Sequence, residues 1–420
     1  MRRPRAGGGI VIANVFSDYN RGGETLTAAC IEAVRNAFPN QRVSLIAVPF
    51  PERQTSESHA QTIAAFPDVD VLSPPFPVPA GRVRSVITLL ASLLAVVTGR
   101  RAKGSDSLER IADAELVVSR GGYVFVERHG WGGLVALWHT VYPLIYGSRV
   151  GVPTVVFCAS IGPFSTRASR ALNAWILRRA SLVLARDPSS HQRALDLGVA
   201  RERLREVPDS VFATDPPGPE ARDRAVRRLG LENCTFAVVT ARRLRRLPDR
   251  PDLIERLAET IAAALDEQIV ERVVVVDHVT GGDAAVSRDL VERVGDVRAE
   301  FVDEHLSAPE LMALYSAARF VVGCRLHSAI FAIVAGTPAV AIALAEAKAE
   351  GVLAEVGLER FVIADDFQST ELLTLLREIA ADGGAPVRGE VRAAAQEARR
   401  RARALPSALE EVAHANRRLA

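Results

Sequence analysis

The sequence predicts an α/β protein of two lobes, each a parallel sheet covered by helices. Three observations lead there. Short runs of apolar, largely β-branched residues recur along all 420 residues, separated by stretches long enough for helices. Such runs suit strands buried on both faces, the habit of parallel sheets. Residues 214–220, rich in proline and glycine, interrupt the alternation near the middle of the chain, after which it resumes. Several of the runs end in glycine turns or charged residues, and ligands bind at the carboxyl ends of strands in open α/β sheets.

Taken in order, strands are expected at residues 9–15, 43–48, 115–119, 153–159, 182–185 and 205–207 of the first lobe, with helices at 26–37, 131–146, 169–180 and up to Leu197. The helix at 131–146 is expected to be interrupted at Pro143, and residues 49–79, rich in Pro, Ser and Glu, to be irregular. The second lobe is expected to place strands at 236–240, 272–276, 299–302, 319–322 and 339–344. Two Rossmann-like lobes facing a cleft give a GT-B-like architecture, with lobes at 1–215 and 216–386 and an Arg-rich helical tail at 387–420.

Composition narrows the class. The 52 basic residues almost balance the 50 acidic ones, which argues against a nucleic-acid protein driven by net charge. Cys30, Cys158, Cys234 and Cys324 are scattered without a CxxC pair and read as small core residues of a reducing, cytoplasmic protein, with no metal site among them. The N-terminal apolar run is too short for a signal peptide. Residues 86–98 form the most apolar helical stretch, flanked by Arg82, Arg84, Arg100, Arg101 and Lys103. At about 13 residues it is short of the roughly 20 that span a bilayer. It reads as a buried helix, or as a surface helix making peripheral contact with anionic lipid at the inner face of the membrane.

The chemistry-bearing residues gather at predicted strand ends. After the strand at 319–322 come Arg325 and His327, then an apolar helix stopped by Gly336 and Pro338, a further strand and Lys348. An Arg, a His and a Lys at a strand-to-helix turn suit a phosphate- or carboxylate-bearing ligand. The alternative is a structural helix start, with Arg325 paired to a carboxylate. The first strand leads into a loop carrying Asp18, Asn20, Gly22, Gly23 and Glu24, which matches neither GxGxxG nor the P-loop pattern. A second glycine turn holds Gly121 and Gly122, and Asp209 follows the strand at 205–207. For the acidic residues, turn and cap roles compete with catalysis. Asp277 and His278 end another strand.

In order, the segments Asn20–Glu24, Ser119–Tyr123, Ser160–Pro163, Ala185–Ser190, Pro208–Asp209, Arg325–His327, Gly336–Pro338 and Lys348–Gly351 make the chain resemble the polysaccharide pyruvyl transferases across most of its length. The resemblance implies transfer of the enolpyruvyl group of phosphoenolpyruvate to sugar hydroxyls as a ketal. Its partners are then phosphoenolpyruvate as co-substrate and a glycan, glycolipid or glycoside acceptor, with no cofactor, metal or nucleic acid. It also implies that Arg325, His327 and Arg242, or Arg243 one register on, serve phosphoenolpyruvate in the second lobe, the first lobe being the acceptor side. His327 would be acid, base or phosphate ligand. Two other readings stand beside this one: a GT-B glycosyltransferase using a nucleotide sugar, and an inactive binding member of the family.

Overall fold

The computed structural model describes residues 8–48, 55–76, 82–98, 105–127, 130–242, 251–280, 282–344 and 348–419. Two compact units divide the chain. Unit 1 comprises Met1–Asp18, Gly23–Ser210 and Arg401–Ala420, and unit 2 comprises Tyr19–Gly22 and Val211–Arg400.

Unit 1 is built on the strands β1 (Ile10–Val15), β2 (Val43–Ala47), β3 (Asp70–Leu72), β4 (Leu116–Ser119), β5 (Gly122–Phe125), β6 (Thr154–Ile161), β7 (Leu182–Ala185) and β8 (Leu204–Glu206). Their order is β3-β2-β1-β4-β6-β7-β8, with β5 also pairing β6, and every pairing is parallel. Residues of β1, β2, β4, β6 and β7 are buried throughout, as expected of strands covered on both faces. Two strands are additions to the expectation. β3 lies inside the segment expected to be irregular, and β5 continues from the glycine turn. Gly121 permits that continuation, because a Cβ there would stand 2.9 Å from the carbonyl oxygens of Phe157 and Cys158. Gly122 has φ +97°, open to glycine at little cost. The Gly130–Val150 helix runs through Pro143 without the expected interruption.

Unit 2 carries β9 (Phe236–Thr240), β10 (Arg272–Val275), β11 (Ala299–Phe301), β12 (Val321–Gly323), β13 (Ala339–Ala343) and β14 (Val362–Ala364). The order is β11-β10-β9-β12-β13-β14, again parallel throughout. The chain winds outward from β9 through β10 to β11, then returns to the other side of β9 with β12. The loops after β9 and β12 therefore flank the point where the strand order reverses, the place where open α/β sheets bind ligands.

At the C-terminus the Ala385–Ala402 helix runs to the end of unit 2, and the Leu405–Leu419 helix belongs to unit 1. Arg205 pairs with Glu411, and Arg417 pairs with Glu115, tying the last helix to unit 1.

Inside unit 1 a buried polar network joins the ends of β6, β7 and β8. Arg186 Nη1 donates to Asp209 at 2.7 Å and its Nε donates to Ser160 Oγ at 2.7 Å, with both members of the ion pair buried. Asp187 caps the next helix by accepting from the Ser190 amide at 2.7 Å. Removing one member of a buried pair strands the other charge, so Asp209→Ala is expected to cost about 3–5 kcal/mol of stability. Urea unfolding of the variant checks this, and an unchanged midpoint would contradict the structural role.

Candidate active site

The site is assembled at the carboxyl edge of the second sheet. β9 leads to Ala241 and Arg242, β10 to Asp277 and His278, β11 to His305, and β12 to Arg325 and His327. The register Thr240↔Gly323 sets the ends of β9 and β12 side by side. The Cys324 amide then donates to the Thr240 carbonyl at 3.0 Å, and Thr240 Oγ1 donates to Ser328 Oγ at 3.0 Å. These bonds fix the first turn of the Leu326–Val334 helix, which begins earlier than the apolar pattern alone suggests because Arg325 takes the N-cap position.

Arg325 is held by a bidentate pair. Its Nε donates to Asp283 Oδ2 at 2.6 Å and its Nη2 to Asp283 Oδ1 at 2.7 Å. Asp283 is almost wholly buried, while Arg325 keeps 17% of its side chain exposed. The fork geometry locks the guanidinium plane and leaves Nη1 outside the pair. The carboxylate partner that belongs to the structural alternative for Arg325 is thus present as Asp283, at the strand-to-helix turn. His327 sits in the first turn of the same helix, with its ring centroid 6.4 Å from that of Phe331.

The segment Tyr19–Gly22 belongs to this unit. Asn20 forms a β-bridge with Val279, the Arg21 amide donates to the His278 carbonyl at 3.0 Å, and the Thr280 amide donates to the Tyr19 carbonyl at 3.0 Å. Asn20 Oδ1 accepts from the Gly22 amide at 3.0 Å, a helix-start turn that lets the Arg21–Ala37 helix begin where a loop is expected. Gly22 is needed for approach: a Cβ there would lie 2.3 Å from His327 Cγ. Arg21 is buried. It donates through Nε to the Leu306 carbonyl at 2.8 Å and through Nη2 to Thr280 Oγ1 at 2.9 Å, with Nη2 also 2.6 Å from His305 Nδ1.

At the centre lies His278, fully buried, its Nε2 2.7 Å from the Tyr315 hydroxyl. Burial pushes its imidazole well below the ordinary range, and the charges of Arg325, His327 and Arg21 push the same way. The ring is thus neutral, and its Nδ1 has no hydrogen-bond partner among the described residues. Asp277, which accepts from Ser287 Oγ at 2.7 Å, has its carboxyl raised to about 6 by burial. A positive edge surrounds a neutral histidine, an arrangement that favours an anion.

Of the other predicted residues, Arg242 stands at this edge, half-buried, and its charge bears on the Cys324 thiol. Lys348 opens the Lys348–Glu355 helix after β13, and Arg243 lies outside the described residues. Gly23, Glu24, Gly121, Gly122 and Asp209 belong to unit 1. The Gly23 carbonyl accepts from Arg120 Nη1 at 2.6 Å, and Glu24 occupies the first turn of the Arg21–Ala37 helix, the favourable end for an acid. Asp209 was expected near a substrate; here it is fully buried as the counter-ion of Arg186. Sequence reasoning passed over Arg21, Asp283 and His305. The signal for Arg21 was its place between Asn20 and Gly22 in a quoted motif, whereas nothing local marks Asp283, 42 residues before its partner. Among the described residues no cluster could hold a metal ion.

Two parallel sheets with helices, in this order, define the GT-B-like class, and solved structures agree. Anabaena HepE in complex with UDP and glucose aligns with a TM-score of 0.61 at 16% identity, covering 96% of this chain and 98% of that one. A glycosyltransferase from Rickettsia africae gives 0.61 at 10% identity, with 96% and 97% covered. The UDP-GlcNAc 2-epimerase of Neisseria meningitidis bound to UDP-GlcNAc gives 0.59 at 10% identity, with 96% and 99% covered. These likenesses define the fold. A family profile, Polysaccharide pyruvyl transferase, matches residues 20–345, and the chain belongs to that family. No curated protein matches the chain.

Two predictions follow from the geometry. Gly22→Ala forces a methyl group into the His327 ring and is expected to cost about 1–3 kcal/mol by overpacking, read by chemical denaturation. An unchanged stability would contradict the close approach. Folded Asp277 keeps its proton to about pH 6, whereas the unfolded carboxyl loses it near 3.8. The folded state binds the extra proton in that window, so this group makes stability fall as pH rises from about 4 to 6. His278, neutral when folded, acts oppositely and removes stability as pH falls below its ordinary 6.5. Asp277→Asn is therefore expected to make stability rise more steeply with pH between 4 and 6, checked by melting curves across that range; an unaltered profile would contradict it.

Proposed function

We propose that this family member is a phosphoenolpyruvate-dependent pyruvyl transferase that builds a pyruvate ketal across two hydroxyls of a glycan, glycolipid or glycoside and releases phosphate. The observation that carries the reading is the convergence of Arg21, Arg325 and His327 on a neutral, buried His278 at the switch point of the second sheet. Phosphoenolpyruvate presents a carboxylate and a phosphate on one small frame, and guanidinium groups fixed in orientation suit both. Arg325, its plane locked by Asp283, and Arg242, on the neighbouring strand end, are the anion-holding pair in this reading.

The reaction needs a proton delivered to the methylene carbon, which leaves an oxocarbenium-like centre at the adjacent carbon. One sugar hydroxyl adds there, losing its proton to a base. The oxygen of a second hydroxyl then bonds to the same carbon as its C–O bond to phosphate breaks, and the hydroxyl proton leaves with the released phosphate, closing the ketal. Histidine is the side chain that titrates nearest neutrality, and His327 is assigned the proton delivery.

A nucleotide-sugar donor is the second reading, favoured by the solved relatives that hold UDP, UDP with glucose, or UDP-GlcNAc. The two readings separate on ligand stabilisation. Phosphoenolpyruvate is expected to raise the melting temperature of the protein, since a ligand that binds only the native state stabilises it by mass action. UDP-sugars are expected to leave it unchanged. The response should vanish in Arg325→Ala combined with Asp283→Asn, a pairing that avoids stranding a buried carboxylate. His327→Ala should retain binding and lose at least about 100-fold in turnover with an acceptor. Stabilisation by a UDP-sugar alone would overturn the pyruvyl transferase reading.

A further inference from the structure

The Arg82–Thr98 helix of unit 1 is turned the wrong way round for a helix of a water-soluble surface. Ser92 faces in, and six aliphatic residues face out. Ser92 is fully buried, accepting from Trp138 Nε1 at 2.8 Å through its hydroxyl and from the Tyr142 hydroxyl at 3.2 Å through its carbonyl. Both partners lie on the Gly130–Val150 helix, against which this helix packs. On the opposite side stand Val86, Ile87, Leu90, Leu93, Leu94 and Val97, with exposures from 36% at Leu93 to 70% at Val97. Their spacing places them on one helical stripe. Among the described residues only Trp131 and Val297 add to this set of exposed large apolar side chains, and Trp131 opens the helix on which the stripe-bearing helix rests.

The charge of the flanking sequence is one-sided. Between Asp70 and Asp106 the sequence holds five basic residues, Arg82, Arg84, Arg100, Arg101 and Lys103, and no acidic residue. Arg149 adds a cation at the helix's C-terminal end, donating through Nε to the Val96 carbonyl at 2.8 Å and through Nη2 to the Val97 carbonyl at 3.1 Å. Seventeen residues extend about 25 Å along the helix axis. Among the described residues no helix is long and apolar enough to cross a membrane. In general, an amphipathic helix with an apolar face and a basic flanking sequence suits the plane of a bilayer interface, where the apolar side meets the acyl boundary and cations meet anionic headgroups. A second copy of the chain fits less well, because a self-complementary contact would set the same basic segment against itself.

We propose that the outward face of the Arg82–Thr98 helix, led by Ile87, Leu90, Leu94 and Val97, is a docking surface for an anionic lipid bilayer. This surface belongs to unit 1 and is independent of the donor chemistry assigned to unit 2. Flotation of the full-length protein with vesicles of phosphatidylglycerol and phosphatidylcholine, against phosphatidylcholine alone, tests it. The protein is expected to float with the anionic vesicles and at least about tenfold less with the neutral ones. Leu90→Glu combined with Leu94→Glu should reduce recovery at least about tenfold, since it removes the apolar contact and adds repulsion. Val297→Glu, at a still more exposed apolar position of unit 2, should float as the unaltered protein does. Circular dichroism and melting temperature confirm that the variants remain folded. Equal recovery of the double variant, equal recovery with neutral vesicles, or no flotation at all would overturn the proposal. So would an oligomer, seen by sedimentation, that the double substitution dissociates while vesicle binding is absent.

Discussion

Parallel pairing in the second sheet is the constraint on which the site depends. Because β9, β10, β11 and β12 all run the same way, the chain must leave each of them at one edge, and it does so with Arg242, His278, His305 and Arg325. An antiparallel strand among them would have sent its polar end to the opposite edge. The reversal of winding between β9 and β12 places that edge at the switch point of the sheet. Nothing in the individual loops would gather these groups without that topology.

Gathering so many cations has an electrostatic cost, and the structure meets it in three ways. Arg325 is neutralised by Asp283, Arg21 is bound to the Leu306 carbonyl and Thr280, and His278 gives up its proton. The edge therefore keeps positive potential with few unbalanced buried charges. Unit 1 treats its buried Arg186 by the same means, pairing it with Asp209 at the ends of β7 and β8. The two pairs differ in exposure. Arg325 keeps part of its side chain open, whereas Arg186 is sealed.

Much of this was legible in the sequence. β9 and β7 fall where runs of apolar residues predict them, since buried parallel strands write themselves as such runs. β3, β5 and β14 were not legible, because three or four residues beside polar or glycine neighbours carry too little pattern to separate from loop. The turn Arg325–His327 was visible as chemistry at a strand end. Its partner Asp283 was not, since the bond spans 42 residues and depends on the Ala284–Val294 helix starting beside β12's loop. Residues 86–98 had two readings from sequence, buried or lipid-facing, and composition could not choose between them. In the fold Ser92 is the buried residue, accepting from Trp138 and Tyr142, while Leu90, Leu93 and Leu94 are exposed.

The central claim is that the carboxyl edge of the second sheet holds phosphoenolpyruvate. A crystal structure of the protein grown with phosphoenolpyruvate tests it most directly. The account predicts density for the carboxylate and phosphate against Arg325 and Arg242, with the methylene carbon toward His327 and Arg325 still paired to Asp283. Phosphoenolpyruvate bound elsewhere in the chain, with this edge closed to it, would contradict the account.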